Sequence, residues 1–250
     1  MTLFDRPIAH RGLHDRARGI IENSPSAFEA AIAAGYAIEC DVQLSSDGVP
    51  FIFHDDEFDR LTAATGRSDA RPIAEVQTFA LTDSEPVQVP PTFVEFLALI
   101  AGRTQLQIEL KKQKDAAGTV ALAAAVAAAL RHYRGPYTVE SFDPHLLAAV
   151  RREGIAAPVG IITYGYDQPQ WEGTLSAGTK FVLRHLLHWP WTRFDFISCR
   201  NVSLELPAVR FFRAVGKPVT AWTIQSAADA EQALKHCDQI VFEGFLPRSA

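Results

Sequence analysis

Residues 37–56 read AIECDVQLSSDGVPFIFHDD and carry ionisable side chains on both arms of a short, otherwise apolar stretch. The Asp-Gly pair at 47–48 lies between two alternating runs, a pattern typical of a β-hairpin with a two-residue turn. With that turn, Asp41 lies opposite His54, and Glu39 lies two residues earlier on the same face. The sequence therefore predicts that two carboxylates and an imidazole meet on one face of a hairpin.

The other face of this hairpin is predicted to be apolar. The same register pairs Val42 with Phe53 and Leu44 with Phe51, and Cys40 alternates towards the core. A solvated polar face with an incidental histidine would give the same local pattern. The hairpin alone therefore does not establish a functional site, and its interpretation depends on the rest of the chain.

Strands and helices alternate along the rest of the chain. One helix signal is Ser24 followed by Pro25, with Gly35 as the stop. Seven or more strand–helix units without a Gly-rich dinucleotide motif favour an α/β fold of the TIM (β/α)8 barrel type over a doubly wound sheet. Eight segments are expected to form its parallel strands, centred near residues 8, 39, 108, 139, 160, 197, 221 and 241.

The chain is interpreted as one barrel domain over residues 1–250, with a β-hairpin extension after the second strand. A polar segment at about 55–90 is expected to form a short insertion or cap. A length of 250 residues is common for a single α/β barrel. We see neither a domain boundary nor an internal repeat in the sequence.

Charge and composition argue against several classes of protein. Lys and Arg number 24 against 29 for Asp and Glu, a formal net charge of −5, and no basic cluster stands out. Nucleic-acid binding leaves a basic footprint, so nucleic acid is not an expected partner. Cys40, Cys199 and Cys237 are odd in number, scattered and without the spacing of a metal site. This pattern indicates reduced thiols rather than disulfides or a zinc site. We see no secretory signal and no apolar run of the ~20 residues that a membrane span needs, so we expect a cytoplasmic protein without an integral membrane segment.

Ionisable residues gather at the predicted strand ends, which form the active-site face of a TIM barrel. They are His10 and Arg11 after the first strand, Glu39 and Asp41 on the second, His54 on the return arm, Glu109 and Lys111 on the third, and Glu243 after the eighth. Each alone has an ordinary explanation, such as a solvated strand cap, but four strand ends at one mouth indicate a site. Three carboxylates repel one another without a metal, so the cluster predicts a bound cation.

The order of these residues resembles the signature of the glycerophosphodiester phosphodiesterase family. That signature is a His-Arg pair, a Glu-x-Asp and a His-Asp in this order, found here at 10–11, 39–41 and 54–55. The resemblance extends over most of the chain, through IELK (108–111), PPTFVEFL (90–97), VESF (139–142) and AWTI (221–224). It implies an enzyme that hydrolyses small-molecule glycerophosphodiesters to glycerol 3-phosphate and an alcohol.

The resemblance also implies one divalent cation, held by Glu39, Asp41 and Glu109. Ligation by carboxylate oxygens alone selects hard ions, so Mg²⁺ or Ca²⁺, or else Mn²⁺, is expected rather than zinc. Arg11 and Lys111 would bind the phosphate and offset the charge that develops on its oxygens.

His10 and His54 would share the proton transfers of the reaction. Asp41 opposite His54 favours an imidazolium and hence the acid, whereas Arg11 beside His10 favours a neutral base; the reverse assignment stays open. Attack by a 2-hydroxyl of the substrate, giving a cyclic phosphate, and direct attack by water both stay open as well.

Three further residues have roles that stay open in this interpretation. Glu22 corresponds to the family's Glu-Asn-Thr element, with Ser24 in place of Thr, and is expected at the substrate unless it merely precedes a helix cap. Trp222 would form an apolar wall for the glycerol unless it only fills the barrel core. Glu243 stands where many relatives carry Thr-Asp, so its role is left open. No role is assigned to the remaining histidines, which are His14, His132, His145, His185, His188 and His236.

Two other functions fit the same barrel. A phospholipase-D-like phosphodiesterase acting on lysolipid or lipid would need an exposed apolar rim or a basic face, for which LRHLLHWPWTRF (183–194) is the candidate. A non-catalytic phosphodiester-binding barrel would be expected to lack a catalytic histidine or a metal ligand, and none is missing here. The alcohol headgroup, the choice of cation and the oligomeric state are not determined by these residues.

Overall fold

In the computed structural model, which describes residues 3–173 and 175–247, eight parallel strands close into a barrel. The described strands are β1 (Ile8–Ala9), β2 (Ala37–Leu44), β3 (Pro50–Ile52), β4 (Leu106–Leu110), β5 (Tyr137–Ser141), β6 (Val159–Thr163), β7 (Phe196–Arg200), β8 (Val219–Ile224) and β9 (Gln239–Phe242). The ring runs β1-β9-β8-β7-β6-β5-β4-β2 and closes through pairing of β1 with β2. Strand β3 pairs antiparallel with β2 outside the ring. The predicted TIM barrel with a hairpin extension is confirmed.

Six of the ten described helices begin after a residue whose side chain accepts a hydrogen bond from a backbone N–H of the first turn. Ser24 accepts a hydrogen bond from the Ala27 N–H, and Thr92 and Glu95 form a reciprocal capping box. The described helices are α1 (Pro25–Ala33), α2 (Ile73–Val76), α3 (Phe93–Ile100), α4 (Ala116–Leu130), α5 (Pro144–Arg152), α6 (Pro169–Glu172), α7 (Ala177–Arg184), α8 (Trp189–Thr192), α9 (Pro207–Ala214) and α10 (Ala227–Ala233). Within the described ranges, none of these helices has the length and apolar character needed to cross a bilayer.

Alternation along the strands separates the apolar core from the polar mouth. Ile38, Cys40 and Val42 of β2 are buried in the large cluster that also contains residues of the surrounding helices. Glu39 and Asp41 alternate with them and therefore point into the barrel. The same alternation on β4 turns Glu109 inward. Strand periodicity thus directs the predicted acidic residues to the inside of the ring.

The hairpin register differs by one residue from the prediction. Val42 lies opposite Ile52, not Phe53, and Leu44 lies opposite Pro50. The Ser45 N–H donates to the Val49 carbonyl at 3.0 Å, so the loop holds three residues. This is the arrangement of a type I turn followed by a left-handed glycine, which Gly48 supplies with φ +81°. The predicted two-residue turn is wrong.

A contact outside the hairpin accompanies this turn. The Asp47 carboxylate accepts from the Ser45 hydroxyl at 2.6 Å and from the Ile73 N–H at 2.9 Å, so it joins the turn to the beginning of α2.

With the longer loop, Asp41 faces Phe53, whose N–H donates to the Asp41 carbonyl at 3.1 Å. His54 therefore lies beyond the end of the strand rather than opposite Asp41.

Residues 55–90 pack against the outer side of the hairpin. They contain α2 and contribute to a separate small hydrophobic cluster with residues of β3 and of the loop before α1. Its buried members are Ile21, Phe51, Phe53, Phe58, Leu61, Val76 and Leu81. Residues 55–90 therefore form a packed element that follows His54, and their assignment as an insertion or cap stays a prediction.

Candidate active site

Three buried carboxylates form a cluster at the mouth of the barrel. Glu39, Asp41 and Glu109 each offer an oxygen within 4.8 Å of the other two. Asp41 and Glu109 are partners in the register of β2 and β4, which places their side chains next to each other. The structure thus brings together the three residues predicted as metal ligands.

Burial and mutual repulsion perturb these carboxylates unequally. Burial raises the pKa of Glu39, and the nearby charges of Asp41 and Glu109 raise it further. The pKa of Glu109 is also raised, first by burial, although Lys111 opposes the shift. For Asp41 the effect of burial is outweighed by Lys111, His54 and Arg11, which hold its pKa below the usual range. A bound cation would compensate the negative charge of the cluster and favour the ionised form of all three carboxyls.

The donor set fits a hard divalent cation. Among the described residues, Glu39 Oε1 is buried without a hydrogen-bond partner. This oxygen is therefore available to bind a metal ion. Lys111 Nζ lies 3.2 Å from Asp41 Oδ1 and 2.8 Å from Glu109 Oε1, so part of the negative charge is already balanced. Carboxylate oxygens are the ligands preferred by Mg²⁺, Ca²⁺ and Mn²⁺. The cluster can therefore hold such an ion.

Arg11 is tied to the cluster through its backbone and its side chain. Its N–H donates to Glu39 Oε2 at 2.9 Å from a left-handed conformation with φ 55°. Its guanidinium donates to Glu22 Oε1 at 2.6 Å and lies 3.5 Å from Asp41 Oδ2. Arg11 is therefore held at the edge of the acidic cluster by Glu22, Glu39 and Asp41.

Glu22 lies between two arginines. Arg60 donates to Glu22 Oε2 at 2.7 Å, while Arg11 binds the other oxygen. Burial alone would raise the pKa of Glu22, but Arg60 and Arg11 lower it to about 2. The carboxylate thus stays ionised and orients both arginines. Its predicted contact with substrate stays a prediction.

His54 follows β3 and is paired with the next residue. Its Nδ1 lies 2.6 Å from Asp55 Oδ1, and Arg60 donates to Asp55 Oδ2 at 2.6 Å. Burial opposes ionisation of Asp55, but His54 and Arg60 hold its pKa below the usual range. The imidazole is therefore oriented by a carboxylate that is itself fixed by an arginine.

His10 follows β1 and meets a residue from the other end of the chain. Its Nδ1 lies 2.7 Å from Glu243 Oε2, and its Nε2 lies 4.0 Å from Glu39 Oε2. Burial lowers the pKa of His10, and the charge of Arg11 lowers it further, although Glu243 opposes both. His10 thus faces the acidic cluster with one ring nitrogen and a separate carboxylate with the other.

Both histidines border one cavity of about 1840 Å³ at the mouth of the barrel, together with Arg11, Lys111 and Trp222. The Trp222 indole donates to the Ser198 carbonyl at 3.1 Å, and its ring meets Phe142 edge-on at 5.6 Å. Trp222 therefore forms part of an aromatic side of this cavity. All nine predicted site residues lie in or directly around this region.

Sequence reasoning missed three polar residues of the site. Asn23 donates to Asp41 Oδ2 at 2.8 Å, and Arg60 joins Glu22 to Asp55. Glu140 lines the cavity as the register partner of Glu109, and burial raises its pKa to about 8. The sequence held a signal for two of them, because Asn23 follows Glu22 and Glu140 lies near the end of β5. Arg60 lies in an irregular segment and had none.

Of the six histidines without an assigned role, three lie at or near the site. His14 Nε2 lies 3.7 Å from Glu243 Oε2, so it belongs to the surroundings of His10. His145 and His188 also line the cavity, and burial lowers the pKa of the enclosed His188 to about 4. Such a histidine stays neutral near pH 7, which agrees with a packing role.

Solved structures similar to this chain share the barrel. A phosphodiesterase from Oleispira antarctica, solved with its product sn-glycerol-3-phosphate, is 23% identical with a TM-score of 0.76, covering 94% of this chain and 91% of that one. A glycerophosphodiester phosphodiesterase from Parabacteroides distasonis is 18% identical with a TM-score of 0.75, covering 95% and 92%. One from Thermotoga maritima is 22% identical with a TM-score of 0.68, covering 94% and 92%. At these identities the likeness establishes the fold.

No curated protein matches the sequence of this chain. The model of the glycerophosphoryl diester phosphodiesterase family matches residues 10–237, a span that begins at His10 and includes the acidic cluster, both histidines and Lys111. The chain therefore belongs to the glycerophosphoryl diester phosphodiesterase family and is a phosphoric diester hydrolase.

Proposed function

We propose that this protein hydrolyses glycerophosphodiesters to glycerol 3-phosphate and an alcohol, using one divalent cation and two histidines. The observation that carries the proposal is the cavity itself. It joins a buried three-carboxylate cluster to His10 and His54, each of which has its own carboxylate on Nδ1. This combination provides an ion site and two proton carriers, which are the components that phosphodiester cleavage requires.

Positive charge at the cluster would hold the phosphate. A cation bound by Glu39, Asp41 and Glu109 would act as a Lewis acid towards the phosphate oxygens. Arg11 offers a planar guanidinium at the edge of the cluster, and Lys111 offers a point charge that bridges two of its members. Both side chains are held by carboxylates before substrate arrives, so little reorganisation is needed on binding.

Proton transfer falls to the two histidines. The lowered pKa of His10 favours a neutral imidazole, which accepts the proton of the attacking hydroxyl. His54 then protonates the departing alcohol oxygen. Either a 2-hydroxyl of the substrate or a water molecule serves as nucleophile in this scheme. Trp222 and Phe142 provide the apolar wall against which the glycerol carbons pack.

The substrate is a small phosphodiester and the cation is Mg²⁺, Ca²⁺ or Mn²⁺ in this proposal. The product complex of the Oleispira antarctica phosphodiesterase supports glycerol 3-phosphate as one half of the substrate. We place the protein in the cytoplasm, since Cys40, Cys199 and Cys237 are all buried free thiols.

The test is an assay for metal-dependent release of glycerol 3-phosphate. The purified protein is incubated with glycerophosphocholine or glycerophosphoethanolamine, with and without EDTA, and the product is measured enzymatically. We expect product without chelator, none with EDTA, and recovery on adding Mg²⁺, Ca²⁺ or Mn²⁺ in excess. No metal-dependent product from any glycerophosphodiester would reject the proposal.

A second candidate function is hydrolysis of lysophospholipids. Exposed apolar side chains beside the cavity support this candidate: Val182 and Trp191 line the cavity and are 39% and 48% exposed. Phe181 and Leu187 nearby are 56% and 53% exposed. A single acyl chain extending from the cavity would cover these side chains and remove apolar surface from water.

Substrate competition distinguishes the two functions. Turnover of lysophosphatidylcholine, kept below its micelle-forming concentration, is compared with turnover of glycerophosphocholine. If the rim binds the acyl chain, Trp191→Ala raises KM for the lysolipid only, whereas Phe211→Ala, at an exposed site on α9 that does not line the cavity, changes neither. Equal effects of Trp191→Ala on both substrates would exclude this second function.

A further inference from the structure

Glu243 is the one residue at the strand ends whose role the sequence left open. It follows β9, and His10 follows β1. Ala9 and Phe242 are register partners, and the His10 N–H donates to the Phe242 carbonyl at 2.9 Å. Closure of the barrel therefore places the side chains of His10 and Glu243 next to each other.

The Glu243 carboxylate is fixed from several directions. Its Oε2 lies 2.7 Å from His10 Nδ1 and 3.7 Å from His14 Nε2, while its Oε1 accepts from Gln225 Nε2 at 2.8 Å. Its backbone N–H donates to the Ile224 carbonyl at 3.0 Å. The hydrogen bond with His10, together with the nearby His14 imidazole and the hydrogen bond from Gln225, lowers its pKa, so it is ionised. An ionised carboxylate accepts hydrogen bonds and donates none.

The proton of a neutral His10 must therefore lie on Nδ1. We propose that Glu243 is a positioning residue: it fixes His10 in the tautomer with Nδ1–H and turns the lone pair of Nε2 towards the acidic cluster, where substrate would react. This rests on the proposed role of His10 in proton transfer. Once Nε2 has taken a proton, the same carboxylate stabilises the imidazolium.

The geometry around Nε2 supports this arrangement. Nε2 lies 4.0 Å from Glu39 Oε2, beyond hydrogen-bond distance, so it is not engaged there as a donor. His54 has the same design, with Asp55 at 2.6 Å from Nδ1. Glu243 thus provides a carboxylate at Nδ1 of His10, as Asp55 does at Nδ1 of His54.

A purely structural role for Glu243 makes different predictions. It would lower stability on substitution and leave the tautomer of His10 and the rate of the chemical step untouched. Glu243→Gln separates the two, because an amide in this position donates to Nδ1 as readily as it accepts from it. Glu231→Gln, at an exposed glutamate of α10, is the matched control.

The first experiment is histidine ¹⁵N NMR on the resting full-length protein at a pH where His10 is neutral. The His10 signals are identified from a His10→Ala sample. We expect the Nδ1–H form in the wild type and in Glu231→Gln, and loss of that preference in Glu243→Gln. An Nε2–H form in the wild type, or an unchanged spectrum in Glu243→Gln, would overturn the proposal.

The second experiment is kinetic. Glu243→Gln is expected to lower kcat by about 10- to 100-fold with little change in KM, the size of loss known for partners that orient a histidine ligand. Glu243→Asp, which keeps the carboxylate, recovers part of the rate. In the double variant with His10→Ala, Glu243→Gln adds no further loss, because it acts through His10.

Losses that multiply in the double variant would contradict the proposal, as would a wild-type kcat in Glu243→Gln. If the wild type turns over no glycerophosphodiester, the proposed function fails, and the NMR result still decides the role of Glu243. Thermal unfolding of each variant identifies those that do not fold. If Glu243→Gln does not fold, Glu243→Asp replaces it in the NMR comparison, because its side chain is one methylene shorter and places the carboxylate further from Nδ1.

Discussion

The two histidine–carboxylate pairs of the site are chemically alike but are built in different ways. His54 and Asp55 are consecutive in sequence, whereas His10 and Glu243 are 233 positions apart. The first pair exists wherever the loop after β3 has its local conformation. The second exists only when β1 and β9 pair, and hence only when the barrel is closed. The His54–Asp55 pair, here called the local arm of the proposed acid–base pair, thus depends on local structure. The His10–Glu243 pair, called the long-range arm, depends on the complete fold.

Their surroundings differ as well. Asp55 shares Arg60 with Glu22, which in turn binds Arg11, so this arm is linked by charged contacts to the proposed phosphate site. Glu243 instead lies beside Gln225 and His14. We therefore expect a change near Asp55 to disturb both the proposed proton transfer and the proposed phosphate binding, and a change at Glu243 to act mainly on His10.

The largest expected effect comes from removing either imidazole. His10→Ala and His54→Ala should each lower kcat by about two to four orders of magnitude, the usual contribution of general acid–base catalysis. Binding of the cation should persist, as measured by Mn²⁺ titration with electron paramagnetic resonance. Near-normal turnover in either variant would show that the two arms are not an acid–base pair.

A smaller loss is expected from the cluster that both arms share. Glu39→Ala should weaken cation binding by at least ~10-fold, and excess cation should restore part of the activity. The measurement is activity against cation concentration, with Glu205→Ala at a strongly exposed position as the control. If excess cation restores nothing while the variant binds Mn²⁺ normally, Glu39 is not a ligand.

Asp55→Asn tests the local arm directly. We expect kcat to fall by about 10- to 100-fold, as for the long-range arm, because His54 loses the carboxylate on Nδ1. Arg60 also loses a charged partner, so the free energy of unfolding should fall by about 1 kcal/mol in urea titrations. Identical stability in Asp55→Asn and wild type would show that the two arms differ less than their contacts indicate.

The smallest effect on turnover is expected at Glu22, where the readout is stability against pH. The pKa of Glu22 is lowered from 4.5 to about 2, so its ionised form stabilises the folded protein above pH 4.5. That contribution is lost as the pH falls from 4.5 towards 2. The difference in unfolding free energy between wild type and Glu22→Gln, about 3 kcal/mol at most near neutral pH, should therefore shrink over this interval. A difference independent of pH would mean that the charge of Glu22 does not stabilise the fold.

The order and nature of the barrel elements could be predicted from sequence because the signals are local. All eight parallel strands lie where apolar runs predicted them, and α1 begins after Ser24 as its N-cap indicated. The acidic cluster was predictable for the same reason, since strand alternation turns Glu39 and Asp41 to one side. The hairpin register was not, because a type I turn with a left-handed glycine and a two-residue turn use the same Asp-Gly pair.

The sequence by itself determined which strand each residue of the acidic cluster lies on and towards which side it points, because strand periodicity acts over a few residues. Only the tertiary structure decided which side chains of the site touch. The contact of His10 with Glu243 and the sharing of Arg60 by Glu22 and Asp55 join segments far apart in the chain. Such contacts depend on ring closure and on the packing of an irregular loop, and neither is encoded in a local pattern.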